Sequence, residues 1–381
     1  MSTFMGIFDE IPGIAVDRFD ADCLKSNYLF LSHCHADHMV GLSEIVNLSI
    51  PLITSEISAV FLKHQFPNIS NAIETIEIES PLELKYILNG NEIELIVTAL
   101  PAKHCPGSVM FLFETTTQTV LYTGDCRILP SHFQQYDILK NKTVDSIHLD
   151  STFLSERFYE FPTQYESISE ICSLIHEWLE MHYENKVLIE MPAQYGVEFL
   201  FMAIEQKLGQ KIYVNEKQWQ KYVYLPAMDH CISPDASKCR IFTKFKGFYG
   251  TYPDYPLKKL RVIKPSAMFW KDWKRGEPIV MQVGDKNEYR VAYSNHCSCL
   301  ELKQFLEFIK PKRVSLNVVP DNCRLSYANC LNKIYVTNNE TIITVEKEDE
   351  ISFDSIFFLP NPCNLKRNNS EAKLLPKRLK S

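Results

Sequence analysis

Residues 33–38 read His-Cys-His-Ala-Asp-His, directly after the apolar run YLFLS (28–32). Four metal-ligating side chains (His33, His35, Asp37 and His38) fall within six positions. A loop leaving the end of a strand can turn all four toward one point. Imidazole nitrogens and carboxylate oxygens suit zinc at about 2.0–2.2 Å. The competing reading is a polar loop with a chance histidine cluster. It is weak, because the 381 residues hold only 11 His. Two more residues fit the same pattern. His104 lies in PAKHCPG (101–107), after an apolar run ending at Leu100, and Asp125 lies in YTGDCR (122–127). Alone, either is more often a surface or capping residue. With the 33–38 loop, both read as ligands at strand ends.

The first 150 residues are β-rich. Strand candidates are 28–32, 92–100, 108–113, 119–124 and 144–150, each apolar or β-branched with turn signals at its ends. The pair 108–113 and 119–124, joined by ETTTQ, reads as a hairpin. After residue 155 the pattern alternates. Ile168, Ile171, Cys172, Ile175 and Leu179 keep helical spacing. KVLIEM (186–191) is a strand, a helix from about 196 stops at Gly209, and KIYVN (211–215) is a strand. That βαβ rhythm implies parallel pairing. Residues 225–260 are rich in Pro, Gly and Tyr and read as irregular. Strands return at 260–264, 278–283, 289–294 and 313–319, with a helix over 299–309.

Composition is 45% hydrophobic and 23% charged, as for a soluble globular chain of two domains, or of one domain with a large insertion. No stretch reaches the roughly 18 apolar residues of a membrane span. The opening MSTFMGIFDEIPG lacks the basic-then-apolar order of a signal peptide. Twelve cysteines without a CxxC pair point to a reducing, intracellular compartment.

A net charge of −7 argues, on average, against nucleic acid. The average hides a split. Residues 1–155 hold 8 Lys/Arg against 19 Asp/Glu, whereas residues 235–275 hold 11 against 3. That basic segment is interleaved with Phe242, Phe245, Phe248, Tyr249, Tyr252, Tyr255, Phe269, Trp270 and Trp273. Basic groups that track phosphates, with rings for unpaired bases, describe a single-strand groove. The other reading is a solvated basic face with core aromatics. The groove reading assigns DNA contacts to Lys258, Lys259, Arg261, Lys264, Lys271, Lys274 and Arg275. It expects the double substitution Lys258→Glu and Lys259→Glu to weaken DNA binding. The last 21 residues hold six basic residues and one Glu and read as a disordered tail.

The HxHxDH loop, a separate His and a separate Asp together resemble the metallo-β-lactamase superfamily. The resemblance implies an α/β fold: a four-layer αββα sandwich with a two-metal site at one edge. By position, His33, His35, His104 and Asp125 would hold one metal. Asp37, His38 and Asp125 would hold the second. Asp17, in IAVD, matches an early Asp that orients ligands. Asp150 in HLDSTF and His296 in YSNHCS match the acid–histidine pair of the superfamily's β-CASP branch, which cuts nucleic acid. There the acid orients the His, and the His assists the leaving group. The resemblance implies that 1–155 and 296–360 form the metallo-β-lactamase domain, with 156–295 an inserted β-CASP α/β domain and 361–381 a basic tail. RNA-cutting members carry a further metal-binding His where Val318 stands here, so Val318 resembles the DNA-cutting members.

The closest textual resemblance is to the hairpin-opening, overhang-trimming DNA nucleases of end joining. It covers about residues 1–330, through YLFLSHCHADHMVGL, LPAKHCPGSVMFLFE, LDSTFLSERFYEFP, QYGVEFLF and VIKPSAMFW. It implies a nuclear, monomeric enzyme acting on hairpins, overhangs and single-strand/double-strand junctions, with no membrane partner. One or two divalent ions are implied: Zn²⁺ is expected, with Mg²⁺ or Mn²⁺ as alternatives at the second position. Three departures stand out. Ala36 replaces a Lys of the relatives' loop. A second, structural zinc is not expected: Cys239 matches one ligand, Ser237 stands where a His belongs, and the last Cys has no match, leaving His230 and Cys231 as neighbours. The chain ends at Ser381 without the long tail through which relatives bind end-joining factors, so those partners stay open. Alternatives are a 5′-exonuclease of cross-link or telomere repair, an RNA-processing endonuclease, a small-molecule hydrolase, and a DNA-binding scaffold.

Overall fold

A computed structural model gives the architecture, describing residues 3–191, 193, 195–245, 257–284, 287–320 and 323–336. Three sheets organise it. The first has four parallel strands in the order β1 (Ile14–Val16), β2 (Tyr28–Leu31), β3 (Leu52–Ser55) and β4 (Ile73–Ile76). Helix α1 (Glu56–Gln65) leaves β3 directly, and the Ser55 side chain caps it by accepting from the Ser58 amide.

In the second sheet β5 (Pro81–Leu88), β6 (Asn91–Pro101), β7 (Val109–Glu114) and β8 (Thr119–Tyr122) are antiparallel neighbours. After the short α2 (Asp137–Lys140), β9 (Ser146–Leu149) pairs parallel to β8. The expected hairpin of 108–113 and 119–124 is the β7–β8 pair. The two sheets face each other across a dry core of Val16, Phe30, Ile53, Val97, Phe111, Phe113 and Tyr122.

The chain then departs into a third sheet. Helix α3 (Gln164–Met181) starts in a Thr163/Glu166 capping box, and α4 (Glu198–Leu208) ends at Gly209 with φ 59°. Helix α5 (Glu216–Tyr222) follows. With β10 (Lys186–Met191), β11 (Ile212–Tyr213), β12 (Ile232–Ser233), β13 (Ile241–Phe245), β14 (Leu260–Ser266), β15 (Val280–Gln282) and β16 (Glu288–Ala292), the order is β12-β11-β13-β10-β14-β16-β15. All pairings there are parallel except β15 with β16. Strand β13 corrects the irregular reading of 225–260. It lies between β11 and β10, and Ile241 and Phe242 are buried in the core.

After α6 (Cys299–Ile309), β17 (Arg313–Leu316) returns to the second sheet beside β9, and α7 (Arg324–Val336) packs outside it. Helix α1 covers the first sheet with Ala59 and Leu62, and α6 covers the second with Leu302, Phe305 and Leu306. The result is helix, sheet, sheet, helix, with an α/β insert: the expected fold class. Strand β17 also places Val318 beside Ser151, whose hydroxyl donates to its carbonyl at 2.7 Å.

Candidate metal centre

Strands β1, β2, β6, β8, β9, β10 and β16 deliver the candidate side chains from the residues that follow their carboxyl ends. Asp17 follows β1 and adopts a left-handed backbone, φ 55°, which a short polar side chain tolerates better than most. Its carboxylate accepts from the Ser32 amide (2.6 Å), the Ser32 hydroxyl (2.5 Å) and the Tyr122 hydroxyl (2.8 Å), and from His38 Nδ1 (2.8 Å). Gly124 lets the Asp125 loop pass over Ser32: a Cβ there would lie 2.7 Å from Ser32 Oγ.

The histidine tautomers follow from their partners. His35 Nε2 lies 3.0 Å from the Tyr195 carbonyl, and His104 Nδ1 lies 2.9 Å from the Asn295 carbonyl. Carbonyls only accept, so those nitrogens carry the protons. Ser32 donates its hydroxyl to Asp17, so Ser32 Oγ accepts from His33 Nδ1 at 2.9 Å. Each ring is thus anchored outward. The opposite nitrogens, His33 Nε2, His35 Nδ1 and His104 Nε2, meet at 2.9 and 3.1 Å. In neutral rings these are lone pairs. Three lone pairs at that separation repel unless a cation lies among them, and tetrahedral zinc sets its nitrogens about 3.3 Å apart.

Asp125 faces both halves of the cluster. Its Oδ2 lies 3.7 Å from His33 Nε2 and 3.6 Å from His104 Nε2, and its Oδ1 lies 3.2 Å from His38 Nε2. His38 Nε2 is buried without an aligned hydrogen-bond partner. Burial, then neighbouring histidines, push His33 and His104 well below the usual histidine range, and burial lowers His35. Asp125 lies well below the usual carboxylate range, because His38 and His296 outweigh its burial. Neutral His33, His35 and His104 and an ionised Asp125 are the forms metal ligation needs. At His38 burial is outweighed by Asp125 and Asp17, which hold it well above the usual histidine range, so an ion there would displace its proton. The donor set fits a divalent ion. Asp37 is half-buried in the turn Ala36–His38 and stands outside the tight groups of ligand atoms, while its charge acts on His35.

His296 stands across the cluster, with Nε2 4.0 Å from Asp125 Oδ2. Its Nδ1 donates to Asp150 Oδ2 at 2.9 Å. Asp150 also accepts from the Cys126 amide (3.0 Å) and the Thr152 hydroxyl (2.7 Å). Burial pulls His296 down, but Asp150 and Asp125 raise it to about 9.

Several supporting residues escaped the sequence reading. Ser32 immediately precedes the histidine loop, and Asn295 immediately precedes His296; both adjacencies were available. Arg127, two positions past Asp125, is fully buried. It donates to the carbonyls of Ser294 (2.6 Å) and Pro162 (2.9 Å) and to Glu301 Oε1 (3.1 Å). Tyr195 lies in the QYGVEFLF stretch, but only the fold carries its carbonyl to His35.

The basic candidates scatter. Arg261 is a correction. It is 3% exposed, donates to the Leu174 carbonyl and Asn287, and lies over the Trp178 and Tyr289 rings. An arginine so enclosed holds the insert together and cannot grip a phosphate in solvent. Lys258 and Lys259 lie far from the candidate centre. They precede β14, beside Lys186, at the amino end of the parallel strands. The seven residues of β14, about 20 Å at ~3.3 Å each, separate them from the end that carries His296. Lys259 pairs with Glu184 there. Lys264 pairs with Glu190 (3.1 Å) and Glu288 (2.8 Å), and Arg275 with Glu160 (2.9 Å) and Glu166 (2.7 Å). Lys271 and Lys274 are exposed on the loop after β14, at the end that carries His296. Phe242, Trp270 and Trp273 are buried, which removes them as stacking platforms. Lys246, Phe248, Tyr249, Tyr252, Tyr255 and the 361–381 tail lie outside the described residues.

Fold and cluster together define a metallo-β-lactamase. Residues 20–189 match the family described as beta-lactamase superfamily domain, and residues 248–322 match the family described as DNA repair metallo-beta-lactamase. The chain thus carries a metallo-β-lactamase domain and a segment of the DNA repair metallo-beta-lactamase family, and it resembles artemis. It is 34% identical to mouse (Mus musculus) artemis over 349 residues, covering 84% of this chain and 49% of that protein. It is 33% identical to the human (Homo sapiens) protein, covering 84% and 50%. The human DNA cross-link repair 1A protein is 28% identical over 81% of this chain and 30% of its own length. The chain therefore spans about half the length of the artemis proteins it matches. A solved structure of a protein of unknown function from Enterococcus faecalis V583 shares the fold, with TM-score 0.50 and 13% identity over 77% of this chain and 79% of that one. Among the described residues no helix is long and apolar enough to cross a membrane.

Proposed function

We propose that this protein is a metal-dependent DNA nuclease that hydrolyses phosphodiester bonds, opening hairpins and trimming overhangs during repair of broken ends in the nucleus. The observation that carries the reading is His296, held by Asp150 and facing the His33–His35–His104–Asp125 cluster, in a chain with a DNA repair metallo-β-lactamase domain. Bound divalent ions, with zinc favoured by the nitrogen-rich donor set, would supply an ionised water and positive charge for the attacked phosphate. His33, His35, His104 and Asp125 would hold one ion. Asp37, His38 and Asp125 would hold a second. Asp17 fixes Ser32 and His38, and through Ser32 it fixes His33. His296, oriented at Nδ1 by Asp150, carries a proton at Nε2 toward the reacting centre, where the leaving oxygen would take it.

Purified protein given hairpin, overhang and 5′-phosphorylated single-stranded DNA, with Mn²⁺, Mg²⁺ or Zn²⁺, tests this. Cutting that persists unchanged in Asp37→Asn rejects the assigned centre. The cross-link repair relative supports a second reading, a 5′-exonuclease. Cutting confined to 5′-phosphate ends selects it.

A further inference from the structure

Behind the metal loop lies a cavity of about 300 Å³, within the size range of small-ligand sites. Cys34, Phe61, His64, Tyr195, Lys217 and Lys221 line it. Its walls come from α1, from the metal loop and from α5 of the insert. The Tyr195 ring meets His35 edge-on at 5.8 Å and Phe61 edge-on at 5.3 Å, so one aromatic touches both the centre and the cavity. Tyr224 reaches across from the insert to His64 Nδ1 at 3.0 Å.

The chemistry of the lining is one-sided. Lys217 and Lys221 stand one helical turn apart on α5, and among the described residues neither is in an ion pair. Lys221 is half-buried, and its burial lowers its pKa. The carboxyl that acts on it, Glu198, is enclosed. Glu198 accepts from the Tyr222 hydroxyl (2.9 Å) and the Gly196 amide (2.8 Å), and burial raises its pKa to about 7. Burial also pushes the Cys34 thiol up to about 12, so it lines the cavity as a neutral, unreactive group. Two cations at a cavity of this size match a nucleotide: the cations take the phosphate, and the space beside them takes the base.

We propose that this cavity receives a nucleotide of the unpaired DNA strand. Lys217 and Lys221 hold its phosphate, and the cavity beside them, edged by Phe61 and Tyr195, receives its base. The inference rests on the nuclease reading for its substrate and names a place for that substrate outside the metal cluster. It makes the protein prefer DNA with a single-stranded extension over blunt duplex.

The test compares the full chain with Lys217→Gln/Lys221→Gln, with Lys217→Arg/Lys221→Arg, and with Lys85→Gln/Lys140→Gln as a charge control. Binding to one duplex with phosphorothioate linkages that resist cutting, blunt or with a short overhang, is measured on the metal-loaded protein, and cutting of the unmodified duplex is measured with Mn²⁺. The pocket predicts that the Gln pair loses about tenfold in overhang binding, with a salt slope shallower by about 1–2, since each single-strand phosphate contact contributes about 0.7. Blunt binding should hold, and the Arg pair and the control should match the wild type. Unchanged overhang binding in the Gln pair overturns the pocket, as does equal loss on blunt DNA or a wild type that binds no overhang. Lysine-dependent overhang binding without cutting by the wild type leaves the pocket standing and removes the nuclease.

Discussion

Asp17 carries more of the site than its position, sixteen residues ahead of the histidine loop, suggests. One carboxylate organises Ser32, His38 and Tyr122. Asp17→Asn should therefore lower metal affinity about 10–100-fold with the ligands intact, as loss of such supporting partners does elsewhere. Metal content after dialysis and direct titration measure it. His296 gives a pH prediction. Its folded pKa, about 9, is raised above the ordinary ~6.5. The His296–Asp150 pair thus contributes stability that is full below about pH 6.5 and is lost as pH rises through about 9. Asp150→Asn removes the leading carboxylate influence, so the alkaline limb of the pH–rate profile should move to lower pH. At this scale the sequence was informative, because ligating residues are rare side chains with narrow chemistry. Tyr195 was not legible: it acts through its backbone carbonyl, which every residue has.

Two turns illustrate what elements contribute. Arg127 ties the Asp125 loop to the Ser294–His296 turn and to the first turn of α6 through Glu301. Replacing it by Met leaves Glu301 without its buried partner. The expected cost is about 3–5 kcal/mol in urea unfolding, together with a fall in cutting. Glu198 opens α4. Burial raises its folded pKa to about 7, so its ionisation works against the fold as pH rises between about 4.5 and 7. Glu198→Gln should flatten the difference in melting temperature between pH 5 and pH 8 by removing a term of roughly 2–3 kcal/mol. Strands flanked by clear turns, such as β7 and β8, were readable. Strand β13 was not, because its five residues sit among Pro, Gly and Tyr, and its partner β10 lies about 50 positions away.

For the whole molecule, the charge split was legible but its geometry was not. The basic segment 235–275 is threaded through a parallel sheet, which sends its lysines to opposite ends. Periodicity cannot say which end of a parallel strand faces the site. Neutralising Lys258 and Lys259 should therefore leave DNA affinity within twofold of the wild type, while Lys271→Gln/Lys274→Gln should weaken it several-fold. Fluorescence anisotropy on one overhang substrate compares both pairs. The fold class followed from the resemblance more than from the strand list, which omitted β3, α1, β4 and β5.

The carbonyls that orient His35 and His104 belong to Tyr195 and Asn295, both on the insert. Metal affinity and closure of the cleft are then two readings of one equilibrium. Whatever holds the insert against the histidine loop tightens the ion, and the ion returns the same free energy to that closure. A chelator would loosen the cleft, and a strand bridging it would slow metal release.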